Sequence, residues 1–381
     1  MSEPEQPTQY GCTQPAPDDE PIRVLDEEGN VCPGAEVPDL PDDQFIAMYE
    51  DVRLARAFDQ RAVALQRQGR IATYAPMTGQ EGSQVASGYA LAEGDWLFPT
   101  YRDHAAKYVH GVDLASLLAP AAGSREGHAV PDGVNALPEY IPIATQIPQA
   151  MGMAWGHKLQ GEPDRAVLCH FGDGATSEGD FHEGLNFAGV FDVPAVFFCN
   201  NNQWAISTPA ERQTASDTLA GKARAYGVEG VRVDGMDPLA VYQVTREALA
   251  KAKRPGPGEL RPTLVESVQY RYGAHTTADD PSVYRDESEV EEWRQRDPVD
   301  RLETFLSDRG ILDERRQSEI EGRVEARIEE AINRVESLGS DPDRMFEHVY
   351  ESTPARLERQ RDRLESLREQ YGDGAFREVL G

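Results

Sequence analysis

Two groups of polar residues, each following a short apolar run, have the residue types and spacing of a metal site. Asp173 lies between two glycines directly after the run 165–171, and Asn202 follows the run 195–200. The carboxyl ends of parallel strands meet at one edge of a sheet, so we expect these side chains to lie close together, although 29 residues separate them. A carboxylate, an amide oxygen, a backbone carbonyl and phosphate oxygens suit octahedral Mg²⁺. The pattern therefore predicts a magnesium site.

The glycines beside Asp173 indicate what such a metal would hold. Gly172 and Gly174 allow the backbone to approach a phosphate closely. A helix predicted over 177–190 directs its positive N-terminus toward that anion. We therefore predict a diphosphate that is bound through magnesium.

Two other interpretations of this glycine pattern are weaker. Gly172 and Gly174 begin a dinucleotide-binding fingerprint, but Ser177 occupies its third glycine position. In that interpretation Asp173 would also place a carboxylate beside the pyrophosphate with no metal to neutralise it. A plain turn is the alternative for the Gly-Asp-Gly tripeptide alone, since such tripeptides occur by chance in many loops. The asparagines at 200–202 favour the cofactor site.

Two histidines are candidates for proton chemistry. His275 lies in the loop 272–280, just after the predicted strand 263–270, and loops at strand ends of α/β sheets often carry catalytic groups. A structural or surface histidine is the plainer alternative. His104 is the second candidate, and it either binds a substrate carboxylate or caps a helix.

The elements that must position these residues follow from apolar periodicity. Apolar positions recur every three or four residues between Pro41 and Gly69, which predicts an amphipathic helix, and a second helix is expected over 80–92. Farther along, apolar runs alternate with helical segments, which predicts an α/β fold with a doubly wound, mostly parallel sheet covered on both faces. The predicted strands are 165–171, 195–200, 231–233 and 263–270, and the predicted helices are 177–190, 217–226 and 238–253.

The two ends of the chain differ from this central region. Residues 1–40 contain seven prolines and little periodicity, so we expect an extended or mobile N-terminal arm without a fold. Residues 41–310 are assigned to one α/β domain, and residues 311–381 to a helical extension of it that covers the core or forms a subunit contact. That extension ends in a polar helix over 355–371. Its apolar stripe consists of Ile320, Val324, Ile328, Ile332, Val335 and Leu338.

Charge and composition exclude several classes of protein. The chain has 381 residues, with 38 Lys and Arg against 67 Asp and Glu, and a net charge of −29 at pH 7 disfavours nucleic acid and anionic membranes as partners. No apolar stretch reaches the roughly 20 residues that cross a bilayer, and the N-terminus is too acidic for a signal peptide. The lack of CxxC spacing favours a reduced, cytoplasmic location. The cysteines are Cys12, Cys32, Cys169 and Cys199.

Lysine is nearly absent from this acidic chain. The basic residues comprise five lysines and 33 arginines. Such a composition resembles that of proteins from salt-loving microbes, in which concentrated cations screen the repulsion between carboxylates. We therefore hypothesise a halophilic source.

The segment 171–207 resembles the thiamine diphosphate signature, in which GDG is followed about thirty residues later by NN. The whole segment is similar to the alpha subunit of the decarboxylase component of 2-oxoacid dehydrogenase complexes. The likeness extends from Pro41 to the end of the chain, and within it the stretches 67–84 and 131–138 are most similar to the bacterial pyruvate dehydrogenase branch. The further stretches that resemble the family, in the same order, are RQGRIATYAPMTGQEGSQ (67–84), FPTYRDH (98–104), PDGVNALP (131–138), IATQIPQAMG (143–152), VRVDGMDPLAVY (231–242) and YRYGAHTTADDPSVYR (270–285).

The resemblance implies how the cofactor is held. Asp173, Asn202 and the main-chain carbonyl of Trp204 would ligate Mg²⁺. Tyr101 and Arg102 would contact the diphosphate, with Arg102 as its charged hydrogen-bond partner.

Further site residues are implied in the same way. Ile143 would lie against the thiazolium or aminopyrimidine ring, and His275 would be catalytic, with His104 as a second catalytic residue. The residues that would wrap the phosphates are Gly172, Gly174 and Ala175. The positions at which some relatives bind a potassium ion are Pro142, Thr145 and Gln146.

Some positions depart from the family pattern. Asn200 stands where branched-chain relatives carry an arginine, so that phosphate contact is not carried over. Trp204 replaces the usual tyrosine or phenylalanine. Thr276 replaces a serine that mitochondrial kinases phosphorylate, and we infer no such regulation. His128 lies about two positions from the family's active-site histidine and is assigned no role.

The resemblance implies thiamine-diphosphate-dependent oxidative decarboxylation of a 2-oxo acid and transfer of the acyl unit to the lipoyl group of an acyltransferase core. Pyruvate is the expected substrate, with branched-chain 2-oxo acids and acetoin as alternatives. The chain has no second thiamine domain, so a separate beta subunit is implied, in a heterotetramer of two alpha and two beta chains. A non-catalytic scaffold subunit and an NAD-dependent dehydrogenase are the less favoured alternatives.

Overall fold

A parallel β-sheet forms the centre of the molecule. The computed structural model describes residues 20–338, 344–347, 349–372 and 374. The strands are β1 (Trp96–Phe98), β2 (Val167–Gly172), β3 (Ala195–Asn201), β4 (Trp204–Ala205), β5 (Thr208–Pro209), β6 (Glu229–Asp234) and β7 (Thr263–Val268). Five of them pair in the order β1-β2-β3-β7-β6, with every neighbouring pair parallel, while β4 and β5 form a separate antiparallel hairpin.

Helices cover both faces of this sheet. The α-helices are α1 (Asp42–Arg67), α2 (Glu81–Tyr89), α3 (His104–Val109), α4 (Leu114–Leu118), α5 (Gln146–Gln160), α6 (Gly179–Phe191), α7 (Pro238–Lys253), α8 (Glu287–Arg294), α9 (Pro298–Asp308), α10 (Glu314–Ser337), α11 (Arg344–Glu347) and α12 (Ala355–Tyr371). The 3₁₀-helices are Arg125–His128, Asp173–Ser177, Ala210–Arg212, Ala220–Tyr226 and Pro281–Val283.

Successive residues of the strands pack in two different hydrophobic cores, one on each face of the sheet. Phe198 of β3 packs in the core that contains the buried faces of α1, α7, α9 and α10. Its neighbour Phe197 packs in the core that contains those of α5 and α6. Because both faces are covered, β3 is buried along its whole length. The prediction of an α/β fold with a doubly wound, parallel sheet and a helical C-terminal region is confirmed.

Most predicted elements are present, β1 and α5 are among the elements that were not predicted, and one predicted helix has a different form. The strand β1 has only three residues, which is too short to show a period. The helix α5 begins in a proline-rich stretch, where Pro148 occupies the first turn and its missing N–H removes no helical hydrogen bond. The helix predicted over 217–226 is the 3₁₀-helix Ala220–Tyr226.

Residues 20–40 of the predicted N-terminal arm contain no helix or strand, but part of this segment packs on the domain. Ile22 forms a parallel bridge with Val233 at the open edge of β6, and Leu25 is fully buried. The main-chain N–H groups of Val24 and Leu25 each donate to the Asp237 carboxylate across 2.6 Å. The buried Asp237 carboxylate and the open edge of β6 therefore hold residues 20–40, which include few apolar residues. Residues 1–19, which include Cys12, lie outside the described part of the chain.

The C-terminal helices differ in how they pack. The apolar stripe of α10 is buried in the same core as α1, so this helix covers the core as predicted. Leu338 lies just beyond the end of α10. The helix α12 has no buried residue. Every described helix is too short or too polar to span a bilayer.

Candidate functional site

A cavity of about 770 Å³ opens at the carboxyl ends of the central strands. Residues from the loops after β1, β2, β3 and β7 line it together, which is where α/β sheets bind ligands. All the cofactor-binding and catalytic positions named above are among its lining residues: Tyr101, Arg102, His104, Ile143, Gly172, Asp173, Gly174, Ala175, Asn202, Trp204 and His275.

Asp173 and Asn202 are brought to the same edge of the sheet by the register of β2 and β3. Gly172 at the end of β2 pairs with Asn200 near the end of β3, and each candidate ligand follows within two residues. The Asp173 side chain is buried, and burial raises its pKa although a hydrogen bond from Gln213 lowers it. The Asn202 carbonyl Oδ1 accepts from the main-chain N of Trp204 across 3.2 Å.

The oxygen atoms gathered here fit a hard divalent cation. Asp173 supplies a carboxylate, Asn202 an amide oxygen and Trp204 a main-chain carbonyl, which accepts a hydrogen bond from Arg271 at 3.3 Å and keeps a second lone pair. Within the described part of the chain there is no group of three or more His, Cys, Asp or Glu that could hold a metal ion. A cation at this edge would therefore take its remaining ligands from phosphate or water oxygens, as Mg²⁺ commonly does.

Gly172 and Gly174 lack a side chain for different structural reasons. A Cβ at Gly172 would meet no atom within 4 Å, so this position leaves the space beside Asp173 open for a ligand. A Cβ at Gly174 would lie 2.8 Å from the Cβ of Ala205, so this glycine is needed for packing against β4. Nearby, Gln203 and Ile206 hold φ angles of 72° and 56°, in the left-handed region that costs non-glycine residues energy. The backbone around the candidate ligands is therefore held in a strained shape.

Two buried arginines place positive charge at the cavity: Arg102 lines it, and Arg271 lies behind the lining residues Trp204 and His275. Arg102 Nη2 donates to the main-chain O of His275 across 2.8 Å, and Arg102 also donates to the main-chain O of Pro76. Arg271 Nη2 donates to the main-chain O of Ile206 across 2.8 Å. Burial, and then the charge of Arg102, lower the pKa of Arg271 to about 10. This positive charge suits a ligand with several negative charges.

His275 is neutral and its proton position follows from its neighbours. Burial, followed by the charges of Arg102 and Arg271, lowers its pKa to about 4. Its Nδ1 lies 3.1 Å from Arg102 Nη2 and 3.4 Å from Arg271 Nη1, both of which can only donate. Nδ1 is therefore the acceptor, and the ring proton is on Nε2. The main-chain N of His275 donates to Asp279 Oδ2 across 2.7 Å, which holds the loop.

His104 is the first residue of α3 and does not cap it. Its ring stacks on Tyr74 with centroids 5.0 Å apart, and its Nε2 lies 3.3 Å from the main-chain O of Ala75. Burial, followed by the charge of Lys107, lowers the pKa of His104 to about 3. Because Nε2 faces a carbonyl and carries the proton, Nδ1 is an acceptor. In this tautomer, Nδ1 suits a ligand group that donates a proton better than it suits a ligand carboxylate.

The other positions implied by the resemblance lie at or near the cavity rim. Ile143 is 46% exposed, and the adjacent Ala144 has a φ of 67°, so this rim is also strained. The Thr145 hydroxyl donates to the main-chain O of Pro142 across 2.9 Å. Gln146 has a buried side-chain oxygen without a hydrogen-bond partner in the described structure. His128 is exposed and lines the outer part of the cavity.

Sequence reasoning missed three contributors to this site, and two of them have no individual signal in the sequence. Gln80 and Gln213 contact the side chains of Asn202 and Asp173, respectively, through isolated hydrogen bonds. Arg271 lies in the stretch that carries His275, where its charge four residues before a candidate histidine could have indicated it. The glutamines depend on tertiary contacts over 122 and 40 residues, which no local pattern reveals.

Comparison with known proteins agrees with this geometry. The model of the family "Dehydrogenase E1 component" matches residues 49–342. The pyruvate dehydrogenase E1 component subunit alpha of Staphylococcus aureus strain Mu50 is 43% identical over 343 residues, which cover 90% of this chain and 91% of that protein. The protein of the same name from Staphylococcus epidermidis is 42% identical over the same shares of both chains. This chain belongs to the dehydrogenase E1 component family.

Proposed function

We propose that this chain is the alpha subunit of a pyruvate dehydrogenase that carries out thiamine-diphosphate-dependent oxidative decarboxylation of pyruvate and acyl transfer to a lipoyl group. The observation that carries the proposal is the convergence of Asp173, Asn202, Arg102 and His275 on one cavity. The names of the similar proteins support the choice of pyruvate. The same family membership makes a scaffold without chemistry and an NAD-dependent dehydrogenase poor alternatives.

In this proposal the chain holds the cofactor by its diphosphate. Asp173, Asn202 and the Trp204 carbonyl bind Mg²⁺, and Tyr101 and Arg102 bind the phosphate oxygens. The main chain at Gly172, Gly174 and Ala175 surrounds the phosphates, and Ile143 contacts the ring system. When bound, thiamine diphosphate supplies the C2 carbanion that adds to the keto carbon and the electron sink for decarboxylation.

The histidines handle protons in this proposal. His275 offers a proton from Nε2, because Arg102 and Arg271 keep the ring neutral with Nδ1 unprotonated. His104 is the second proposed catalytic residue, and its Nδ1 is a buried acceptor without a hydrogen-bond partner among the described residues. A neutral donor and a neutral acceptor in one cavity can exchange protons with a substrate at neutral pH.

A beta subunit completes the site in this proposal. Ile141, Ile143 and Ile206 are apolar side chains at the cavity rim that are between 46% and 68% exposed, which suits burial by a cofactor ring or a partner chain. We propose an assembly of two alpha and two beta chains, with the lipoyl-bearing acyltransferase core as the further partner.

Two ion-related proposals follow from the same residues and from composition. The unpartnered, buried Gln146 oxygen supports a potassium site formed with Pro142 and Thr145. The net charge of −29 and the five lysines support a halophilic source with a salt-rich cytoplasm. A potassium site would be filled in such a cytoplasm.

The proposed function is tested by co-expressing this chain with its beta subunit and measuring decarboxylation with an artificial electron acceptor. We expect activity that requires thiamine diphosphate and a divalent cation, and that is higher with pyruvate than with branched-chain 2-oxo acids. Acetoin is included as a third substrate. A preference for branched-chain 2-oxo acids or acetoin would contradict the substrate, and activity independent of the cofactor would contradict the function.

A further inference from the structure

Two glutamines contact the side chains that we propose as metal ligands. Gln213, which follows the short helix Ala210–Arg212, donates from Nε2 to Asp173 Oδ2 across 2.5 Å and to the main-chain O of Thr208 across 3.1 Å. Gln80, which precedes α2, accepts from Asn202 Nδ2 at 3.2 Å. Each of the two proposed side-chain ligands therefore has a glutamine partner from another part of the chain.

The orientation of the Gln213 amide follows from its partners. Both atoms that contact Nε2 are oxygens that only accept, so a flipped amide would set Oε1 against two acceptors. Oε1 is buried and has no hydrogen-bond partner among the described residues. Ser177 Oγ donates to the main-chain O of Gln213 across 3.2 Å, which ties the residue to the loop that begins at Asp173. Gln213 is therefore held as a donor toward Asp173.

This contact has a consequence for cation binding. The Gln213 amide takes one lone pair of Asp173 Oδ2, so a cation that bound both carboxylate oxygens would compete with this donor, and Oδ1 is the favoured ligand. Mg²⁺ takes six ligands in a tight octahedron at about 2.0–2.1 Å, whereas Ca²⁺ accepts two-oxygen carboxylate ligands at about 2.3–2.6 Å. We infer that Gln213 is a positioning residue that makes Asp173 a one-oxygen ligand and thereby favours Mg²⁺ over Ca²⁺. This inference rests on the proposed function, because it requires a divalent cation at Asp173.

Gln80 provides an internal comparison. Asn202 Oδ1 accepts a hydrogen bond from the main-chain N–H of Trp204, and Asn202 Nδ2 donates to Gln80 Oε1. The amide oxygen of Asn202 therefore keeps one lone pair for a cation. An amide has only one oxygen to offer, so the loss of Gln80 changes how well Asn202 is held but not how many oxygens it presents. Gln80 therefore affects affinity, while Gln213 affects selectivity.

The test measures cation binding to the complex of this chain with its beta subunit. Mg²⁺ or Ca²⁺ is titrated calorimetrically at saturating thiamine diphosphate into the wild type, Gln213→Leu and Gln213→Glu. Gln80→Leu is the comparison, and Gln243→Leu on α7, whose amide donates to Glu247 across 3.2 Å, is the matched control. The thermal midpoint of each metal-free complex is recorded, so that a general loss of structure is detected.

We expect the half-saturating Mg²⁺ concentration to rise about 10-fold in Gln213→Leu, the usual effect of losing a residue that orients a metal ligand. Ca²⁺ binding should weaken less or improve, because Asp173 can then offer both oxygens. In Gln213→Glu the added carboxylate strengthens the attraction for both cations, and the ratio of the two half-saturating concentrations should shift in favour of Ca²⁺. Gln80→Leu should weaken both cations equally, and Gln243→Leu should change neither.

An unchanged ratio of the Mg²⁺ to the Ca²⁺ half-saturating concentration in both Gln213 variants overturns the inference, whether neither cation is affected or both are affected equally. Gln213→Glu keeps the size and polarity of the side chain, so it decides the result if Gln213→Leu does not fold. A wild-type complex that binds the cofactor without any divalent cation would instead overturn the proposed function. The two failures are therefore distinguishable.

Discussion

Arg102 and His275 are joined by two contacts, although 173 residues separate them. Arg102 Nη2 lies 3.1 Å from the ring Nδ1 of His275 and 2.8 Å from its main-chain oxygen. The arginine proposed to bind the diphosphate therefore also positions the histidine proposed to donate a proton. Cofactor binding and the placement of the catalytic ring depend on the same guanidinium group.

Replacing Arg102 with lysine keeps the charge and removes the forked donor. A lysine cannot contact Pro76, His275 and a phosphate together, because its ammonium group is a single point on a flexible stem. We expect Arg102→Lys to bind thiamine diphosphate about 10- to 100-fold more weakly, the loss of one or two charged hydrogen bonds. Calorimetry on the complex with the beta subunit measures this, and an affinity equal to that of the wild type would remove Arg102 from the diphosphate site.

The low pKa of His275 should respond to the charge of Arg271. Removing this charge in Arg271→Gln leaves burial and Arg102 in place, so the pKa of His275 should rise from about 4 but stay below the ordinary 6.5. Titration of the ring proton by NMR, assigned with His275→Gln, checks the shift. A pKa that does not move in Arg271→Gln would show that Arg271 does not act on this ring.

His104 should make the protein less stable in acid. Its folded pKa of about 3 lies below the ordinary 6.5, so the unfolded chain binds more protons as the pH falls through this interval. The loss from this residue should be about 2 kcal/mol between pH 7 and pH 5. Urea unfolding at both pH values should show a correspondingly smaller pH dependence in His104→Gln. An identical dependence in both proteins would show that this histidine ionises normally in the fold.

Salt should stabilise this protein. A net charge of −29 produces repulsion between surface carboxylates, and the screening length falls from about 10 Å at 0.1 M salt to about 3 Å at 1 M. We therefore expect the thermal midpoint to rise as KCl increases over this range, with sucrose as an uncharged control. A protein that is most stable at low ionic strength would contradict the proposed halophilic origin.

The sequence predicted the sheet, and the common edge at which Asp173 and Asn202 lie, because both depend on local patterns. Asp173 and Asn202 follow apolar runs whose direction and pairing are typical of parallel sheets, and the register of β2 with β3 brings them together. The elements that it did not predict lack such patterns. The strand β1 has three residues, and α5 begins at a proline-rich stretch.

Long-range hydrogen bonds determine the other structural features that the sequence did not predict. The N-terminal segment is held by Asp237, more than 200 residues away, so its low apolar content gives no sign of where residues 20–40 pack. Gln213 and Gln80 act through single hydrogen bonds with the side chains of Asp173 and Asn202. Such contacts depend on the completed fold, and nothing in the neighbouring sequence reports them.

The most direct test of the account is the binding of thiamine diphosphate to the complex of this chain with its beta subunit, with and without Mg²⁺, in Asp173→Asn. Wild type should bind the cofactor only with Mg²⁺, and the variant should bind it about 100-fold more weakly, with the exposed Asp217→Asn as the matched control. The metal-free variant should be at least as thermally stable as wild type, because burial disfavours the Asp173 carboxylate. Magnesium-dependent binding of equal strength in Asp173→Asn would contradict the account.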